Sequence, residues 1–374
     1  MAQSARPPFR ADHIGSLLRP AELRIAHEAA LAGTLDAAAL RALEDKHIRD
    51  AVAWQEAIGL ESITDGEFRR TSFHFDFLEQ LEGVVGHMPP QFGSAAAAAD
   101  AEKKPFAPPT LSVTGKVRHV RPILVDAFKF LKSVTTCTPK LTMPSPTMLL
   151  RAGRDQVDRA AYPDMAEFHA DIAAAYRAEI KALADAGCTY IQLDDTNFAY
   201  LCDATMREGL RTRGEDPEAR LRLYVRLINA ALAERPAGMT VAIHICRGNL
   251  HGKWAAEGGY EPIAEAAFGG IAVDGFFLEY DSARAGGFAP LRHMSRDKRA
   301  VLGLVSSKLP EMETRDALLR RIDEAAKIAP IETLCLSPQC GFASSYRGNP
   351  VSEDIEKHKL ALVVTVAREV WGRA

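Results

Sequence analysis

Across its 374 residues the chain has no apolar run long enough to cross a bilayer, so no transmembrane helix is expected. The opening stretch, Met1-Ala2-Gln3-Ser4-Ala5-Arg6-Pro7-Pro8, lacks the apolar core of a signal peptide, and a cytoplasmic protein is expected. A surplus of positive charge is also missing. With 46 Lys and Arg against 49 Asp and Glu, the net charge is −3, which argues against nucleic acid or an anionic membrane as partner. A small-molecule substrate is favoured. Cysteine is sparse: the six at 137, 188, 202, 246, 335 and 340 are too few for a disulfide scaffold and are expected to be reduced. Cys188 and Cys335 sit inside apolar strand-like runs as packing residues, whereas Cys246 and Cys340 fall at strand ends. No glycine-rich loop joins a strand to a helix, since Gly248 and Gly252 are isolated, and the nucleotide-binding open sheet loses its main support. Nothing in the sequence decides the oligomeric state.

What is present is alternation. Met165, Phe168, Ile172, Tyr176, Ile180 and Leu183 recur at three- and four-residue spacing and end at Gly187, which predicts an amphipathic helix. Further helices are expected at 21–32, 36–58, around Leu223, Leu227 and Ala231, at 313–328 and at 352–370. Strand patterns fall near 12–15, 61–65, 141–144, 189–194, 240–246, 274–279, 299–305 and 332–337. Eight strands separated by helices predict a parallel sheet, and the count suits a (β/α)₈ TIM barrel spanning 1–374 as one domain. To this are added an N-terminal helical extension and a loop insertion near 89–120, whose Ala- and Pro-rich part covers 89–110. In such a barrel the chemistry gathers at the C-terminal strand ends.

Polar residues cluster at those ends. His244 and Cys246, in Ile243-His244-Ile245-Cys246-Arg247, lie two apart on a strand and share one face, so both can reach one ion. Imidazole and thiolate are ligands that Zn²⁺ favours. On a barrel, Glu279 of the sixth strand and Cys340 after the eighth converge on the same point and complete a tetrahedral set. The plainer alternatives are a Glu279 paired with Arg247 or Arg284 and a Cys340 that merely fills space. Two thiolates and a carboxylate overcompensate Zn²⁺, so Glu279 is the ligand expected to yield to a substrate thiol. A second group is acidic: Glu67 and Asp194 end strands on opposite sides of the barrel and could hold an α-ammonium group. The alternative is an internal pair of Glu67 with Arg69 or Arg70. Ile14-Gly15-Ser16 offers backbone N–H groups and a hydroxyl for a carboxylate. His13, His251 and His293 read as surface or packing histidines, and Trp254 and Tyr260 either wall the pocket or pack under a loop.

Taken in order, Ile14-Gly15-Ser16, Asp65-Gly66-Glu67-Phe68, Gln192-Leu193-Asp194-Asp195, His244-Ile245-Cys246, Leu278-Glu279 and Pro338-Gln339-Cys340-Gly341 resemble the catalytic barrel of the cobalamin-independent methionine synthase family. The resemblance covers most of the chain. It implies a zinc-dependent thiol methyl transfer on a (β/α)₈ barrel, with His244, Cys246, Glu279 and Cys340 as zinc ligands. Ser16, Glu67 and Asp194 would then hold the amino-acid part of homocysteine, and Asp194 and Lys308 would stand among the catalytic residues. The full synthase resembles two fused barrels, and this chain has the length of one, corresponding to the C-terminal half. Where that family has Asp-Glu-Pro, this chain has Asp194-Asp195-Thr196; where it has a histidine after the seventh strand, Ser306-Ser307-Lys308-Leu309-Pro310 puts Lys308. The methyl donor stays open between methylcobalamin, a simple methylated compound and a folate. Epoxyalkane:coenzyme M transferase is similar too and gives the competing expectation, a zinc-dependent thiol alkyl transfer, though an acid pair suited to an ammonium makes little sense for its sulfonated thiol. The metal-free uroporphyrinogen decarboxylase barrel lacks this ligand set.

Overall fold

A computed structural model of the chain describes residues 6–87, 110–151, 156–249 and 251–374. In chain order its strands are β1 (Ser62–Ile63), β2 (Glu82–His87), β3 (Thr110–Arg118), β4 (Thr138–Pro139), β5 (Leu141–Pro144), β6 (Tyr190–Asp195), β7 (Thr240–Ile245), β8 (Gly275–Glu279), β9 (Arg299–Val305) and β10 (Leu334–Pro338). Strands β5 to β10 form one parallel sheet in sequence order. Helices Met165–Asp185, Pro217–Leu232, Glu261–Gly270 and Arg315–Ala326 fill four of the crossovers, and two short 3₁₀ turns fill the one between β8 and β9. The N-terminal pair is Ala21–Leu31 and Ala37–Ile58, the second capped by the Asp36 carboxylate and closed by left-handed Gly59. The expected alternating α/β architecture is therefore present.

Closure is where the expectation and the structure part. The sheet is prolonged at one end, where β4 leads into β5 and pairs with β1, and at the other by a bridge between Ala11 and Leu336. Among the described residues no ladder joins 12–15 to β1, and 12–15 is not a strand. The Asp12 carboxylate explains this by accepting hydrogen bonds from Phe9 N and His13 N, which turns the local backbone out of pairing. Side chains span the gap instead: Ser62 Oγ donates to Asp12 at 2.8 Å and Thr64 Oγ1 to the Gly15 carbonyl at 2.6 Å.

Alternation sorts the side chains. Ile191, Leu193, Val241, Ile243, Phe276, Leu278 and Leu302 join the large core. Their neighbours Tyr190, Ala242, Phe277, Val301 and Cys335 meet Ile14 in a separate small cluster on the other face. Beside that cluster Lys140 and Asp12, both fully buried, pair at 3.0 Å, and the Tyr190 hydroxyl donates to the same carboxylate at 2.8 Å. Above this apolar floor the same face carries Asp194, His244 and Glu279.

The insertion near 89–120 is not all loop. Its described part contains β3, which pairs antiparallel with β2, Val84 opposite Val113; residues 88–109 lie outside the described set. Two glycines in β2 and the adjoining Ala-rich run weaken the strand signal there. The last helix, Glu353–Trp371, anchors the stretch that follows Ser16, because the buried Glu356 accepts Leu18 N at 3.0 Å. Burial pushes the Glu356 carboxyl well above its ordinary value. The unfolded chain thus loses this proton first as pH rises, and native stability falls between the ordinary carboxyl range and the raised native value. Glu356→Gln is expected to be more stable than the wild type at pH 8 and nearly equal to it at pH 4, as read by urea unfolding.

Candidate active site

Strand register assembles the centre. Asp194 of β6 lies opposite His244 of β7, which lies opposite Phe277 of β8, and Cys246 follows two residues on along the same face. The His244 ring sits with Nδ1 3.4 Å from the Phe277 carbonyl, while its buried Nε2 has no hydrogen-bond partner. Cys246 Sγ lies 3.4 Å from Cys340 Sγ, and one donor atom from each of His244, Cys246 and Cys340 falls within 4.8 Å of the others. Adjacent ligands of a tetrahedral zinc stand about 3.5–4 Å apart, so an orphaned imidazole nitrogen and two thiols at this spacing fit such an ion. Contact with Cys340, reinforced by burial, raises the Cys246 thiol well above its ordinary value. Burial works against a charged His244, but Cys246, Asp194 and Glu279 outweigh it and the imidazole is raised.

Glu279 stands apart from this group. Its Oε1 accepts Arg247 N at 2.6 Å, and its Oε2 accepts Gln339 Nε2 at 3.1 Å and Lys308 Nζ at 3.3 Å. Burial opposes ionisation, yet Lys308 and then the Arg247 N–H hold its carboxyl below the ordinary range. Neither guanidinium considered as its partner takes that part: Arg284 pairs with Asp281, and the side chain of Arg247 lies over the Tyr260 ring at 4.4 Å.

A cavity of about 260 Å³ opens over the centre, lined by Ser16, Glu67, Asp194, His244, Cys246 and Cys340 among others. Six of the eight expected site residues thus face one space, while Glu279 and Lys308 are buried beside it and are not among its lining residues. Glu67 Oε1 accepts Thr142 Oγ1 at 2.8 Å with Arg70 3.8 Å away, and its buried Oε2 has no partner. Arg69 turns to Glu44 and Asp45. Glu67 also holds a left-handed backbone, φ +59°, which a non-glycine residue adopts at a cost. Burial pushes Asp194 up to about 7; Glu67 adds to the rise, while His244 and Gln192 oppose it. Its neighbour Asp195 points away, bonded to Thr147 and to Phe198 N. Ser16 lies against Gly341, where a Cβ would fall 1.9 Å from its Oγ.

A buried thiol pair and an orphaned imidazole face two acids across one cavity, while Glu279, expected as a fourth ligand, lies outside the group. The family described as cobalamin-independent synthase, catalytic domain, matches residues 9–368. The chain belongs to that family. Two Bacillus subtilis (strain 168) members of uncharacterised function, YxjH and YxjG, are 43% and 42% identical over 98% and 99% of this chain and 96% of their own lengths. A Caulobacter vibrioides 5-methyltetrahydropteroyltriglutamate–homocysteine methyltransferase is 26% identical over 91% of this chain, which spans 40% of that longer protein. Among solved structures, a candidate vitamin-B12-independent methionine synthase from Listeria monocytogenes has 37% identity and a TM-score of 0.77, covering 98% of this chain and 99% of its own. The fold of a B12-independent methionine synthase from Shewanella, solved with selenomethionine, agrees at TM-score 0.70 and 20% identity over 96% of this chain and 97% of its own. The resemblance read from the sequence holds, and the chain is a methyltransferase-type catalytic domain of this synthase family.

For this family member, sequence reasoning missed part of the cavity wall. Ser72, Phe73, His74, Arg151 and Tyr200 line it, and burial beside Arg151 pushes His74 down to about 3, which keeps it neutral. Trp254 is 53% exposed with Arg284 stacked at 4.2 Å, and the buried Tyr260 hydroxyl accepts Glu279 N; neither is a lining residue. Among the described residues no helix is long and apolar enough to cross a membrane.

Proposed function

We propose that this chain is a zinc-dependent S-methyltransferase acting on homocysteine or a similar amino-acid thiol, built on one closed (β/α)₈ barrel spanning residues 1–374. The observation that carries the reading is Glu67, which has a left-handed backbone and an unpartnered Oε2 and lines the same cavity as Asp194 and the His244–Cys246–Cys340 group. His244, Cys246 and Cys340 would hold the zinc, and Glu279 would be a fourth donor able to join and leave the ion. Zinc bound there would depress the pKa of a substrate thiol and so supply a thiolate at neutral pH. Glu67 and Asp194 bind the substrate ammonium between two carboxylates, and Ser16 with its backbone neighbours binds the carboxylate. Asp194 acts as a catalytic group: with its carboxyl near 7 it can exchange a proton at working pH. In the transfer a C–S bond forms at the thiol sulfur, the bond from methyl to donor breaks, and the donor keeps that electron pair. The cavity would hold thiol and donor side by side, so that alignment supplies part of the rate. The small inner cluster and the short side-chain-bridged gap support the closed barrel. A cytoplasmic setting belongs to the same reading, in keeping with the sparse cysteines.

The test is a thiol panel on metal-loaded protein. Glu67→Gln is expected to raise KM for homocysteine about 100-fold, the size of a lost charge-assisted pair, while leaving thiols without an α-amine unchanged. If the wild type uses coenzyme M as well as homocysteine, the amino-acid-thiol reading falls and the alkyl transferase of the coenzyme M type takes its place.

A further inference from the structure

Glu279 already has a full set of partners, and they come from three loops. Arg247 N follows β7, Lys308 follows β9 and Gln339 follows β10, so the carboxylate closes a space that all three loops share. The Gln339 amide cannot turn over without loss, because its Oε1 accepts Ser307 N at 2.7 Å and Ser307 Oγ at 3.1 Å, which commits its NH₂ to Glu279. The Lys308 loop is braced in turn. Ser307 O accepts Asn349 Nδ2 at 2.8 Å, Ser306 Oγ accepts Lys308 N at 3.3 Å, and Ser306 N donates to Glu313 at 2.8 Å. Such preparation suits a carboxylate that spends time here. Charge agrees: two thiolates neutralise a divalent ion, so a third anion on it is in excess, whereas beside the Lys308 ammonium the same carboxylate is balanced.

We propose that Lys308 and Gln339 form a dock that holds the Glu279 carboxylate away from the His244–Cys246–Cys340 set, leaving three protein ligands on the resting metal. Lys308 is thereby a positioning residue, acting through Glu279 and not on substrate. The inference rests on the zinc reading above, and its test separates the two.

Zinc affinity, measured by chelator competition without thiol on proteins whose folding is checked by thermal melting, gives a double-mutant cycle. Glu279→Gln is expected to bind zinc within about threefold of the wild type. Lys308→Met, which frees Glu279 to ligate, is expected to bind it about tenfold more tightly; the double variant should return to the Glu279→Gln value, and Lys308→Arg should keep the wild-type value. A 100-fold weakening by Glu279→Gln alone, with no tightening by Lys308→Met, overturns the dock while leaving the metal site standing. Wild-type protein that takes up no zinc overturns the metal reading itself. Should Lys308→Met fail to fold, Gln339→Leu serves, with about fivefold tightening expected and unchanged or weaker binding counting against the dock.

Discussion

Cys246→Ser is expected to lose both stoichiometric zinc and at least 10³-fold in thiol methylation. A serine hydroxyl keeps the size of the side chain but titrates far above neutrality, so it cannot replace a thiolate toward a soft, divalent ion. His244 and Cys340 are then left as two ligands of the group, too few to hold the ion against water. Activity falls with the metal because the free substrate thiol, of pKa about 8.5, is mostly protonated at neutral pH. Metal analysis of the purified variant and turnover with homocysteine check the two halves separately. The chelated wild type should be equally inactive and should recover on adding zinc. Full zinc retention by Cys246→Ser would contradict the ligand assignment, and turnover by chelated protein would contradict the chemistry.

The largest expected loss of stability lies deeper, at the buried pair of Asp12 and Lys140. The two partners are unequal. Asp12 keeps Phe9 N, His13 N, Ser62 Oγ and Tyr190 OH when Lys140 is removed, whereas Lys140 without Asp12 keeps, among the described residues, the His13 carbonyl, the ring faces of Phe277 and Tyr190 and the more distant charge of Asp194. Asp12→Ala is therefore expected to cost about 3–5 kcal/mol, the range for an uncompensated buried charge, and Lys140→Met clearly less. The apolar pair Asp12→Leu with Lys140→Met should recover part of the loss. Urea unfolding of the four proteins measures this; equal costs for the two single variants would mean that the pair, and not its hydrogen bonds, decides. Burial works against the charged Asp12 carboxylate, yet Lys140 and the donors around it hold its pKa below the ordinary value. This part of the stability is present above the ordinary carboxyl pKa and drains away as pH falls below it.

The parts of the fold legible in the sequence were those with a local cause. Alternation in β6 and β7 put Asp194, His244 and Cys246 on one face, and strand ends put Glu67 and Cys340 around the same cavity. The helices at 21–31, 37–58, 165–185, 315–326 and 353–371 followed from their apolar stripes and end signals. What could not be read came from distance. Phe73 and Ser72 reach the cavity because Phe73 N bonds Ser344 O and Ser72 bridges Ser345, contacts some 270 residues apart that leave no periodic trace. Lys308 looked like a mouth residue because it follows a strand, but the buried Glu279 turns it inward. The segment at 12–15 looked like a strand until the Asp12 side chain claimed its backbone.

Glu67 adds a consequence for anyone who would make this protein sturdier. Its backbone sits where glycine rests at ease, so Glu67→Gly would relax the turn and raise the melting temperature while erasing the carboxylate that meets the substrate. Selection for heat resistance alone would drift toward that change. A screen that couples survival to thiol turnover would be pushed back from it, and resilience and use of the catalyst are traded against each other at one torsion angle.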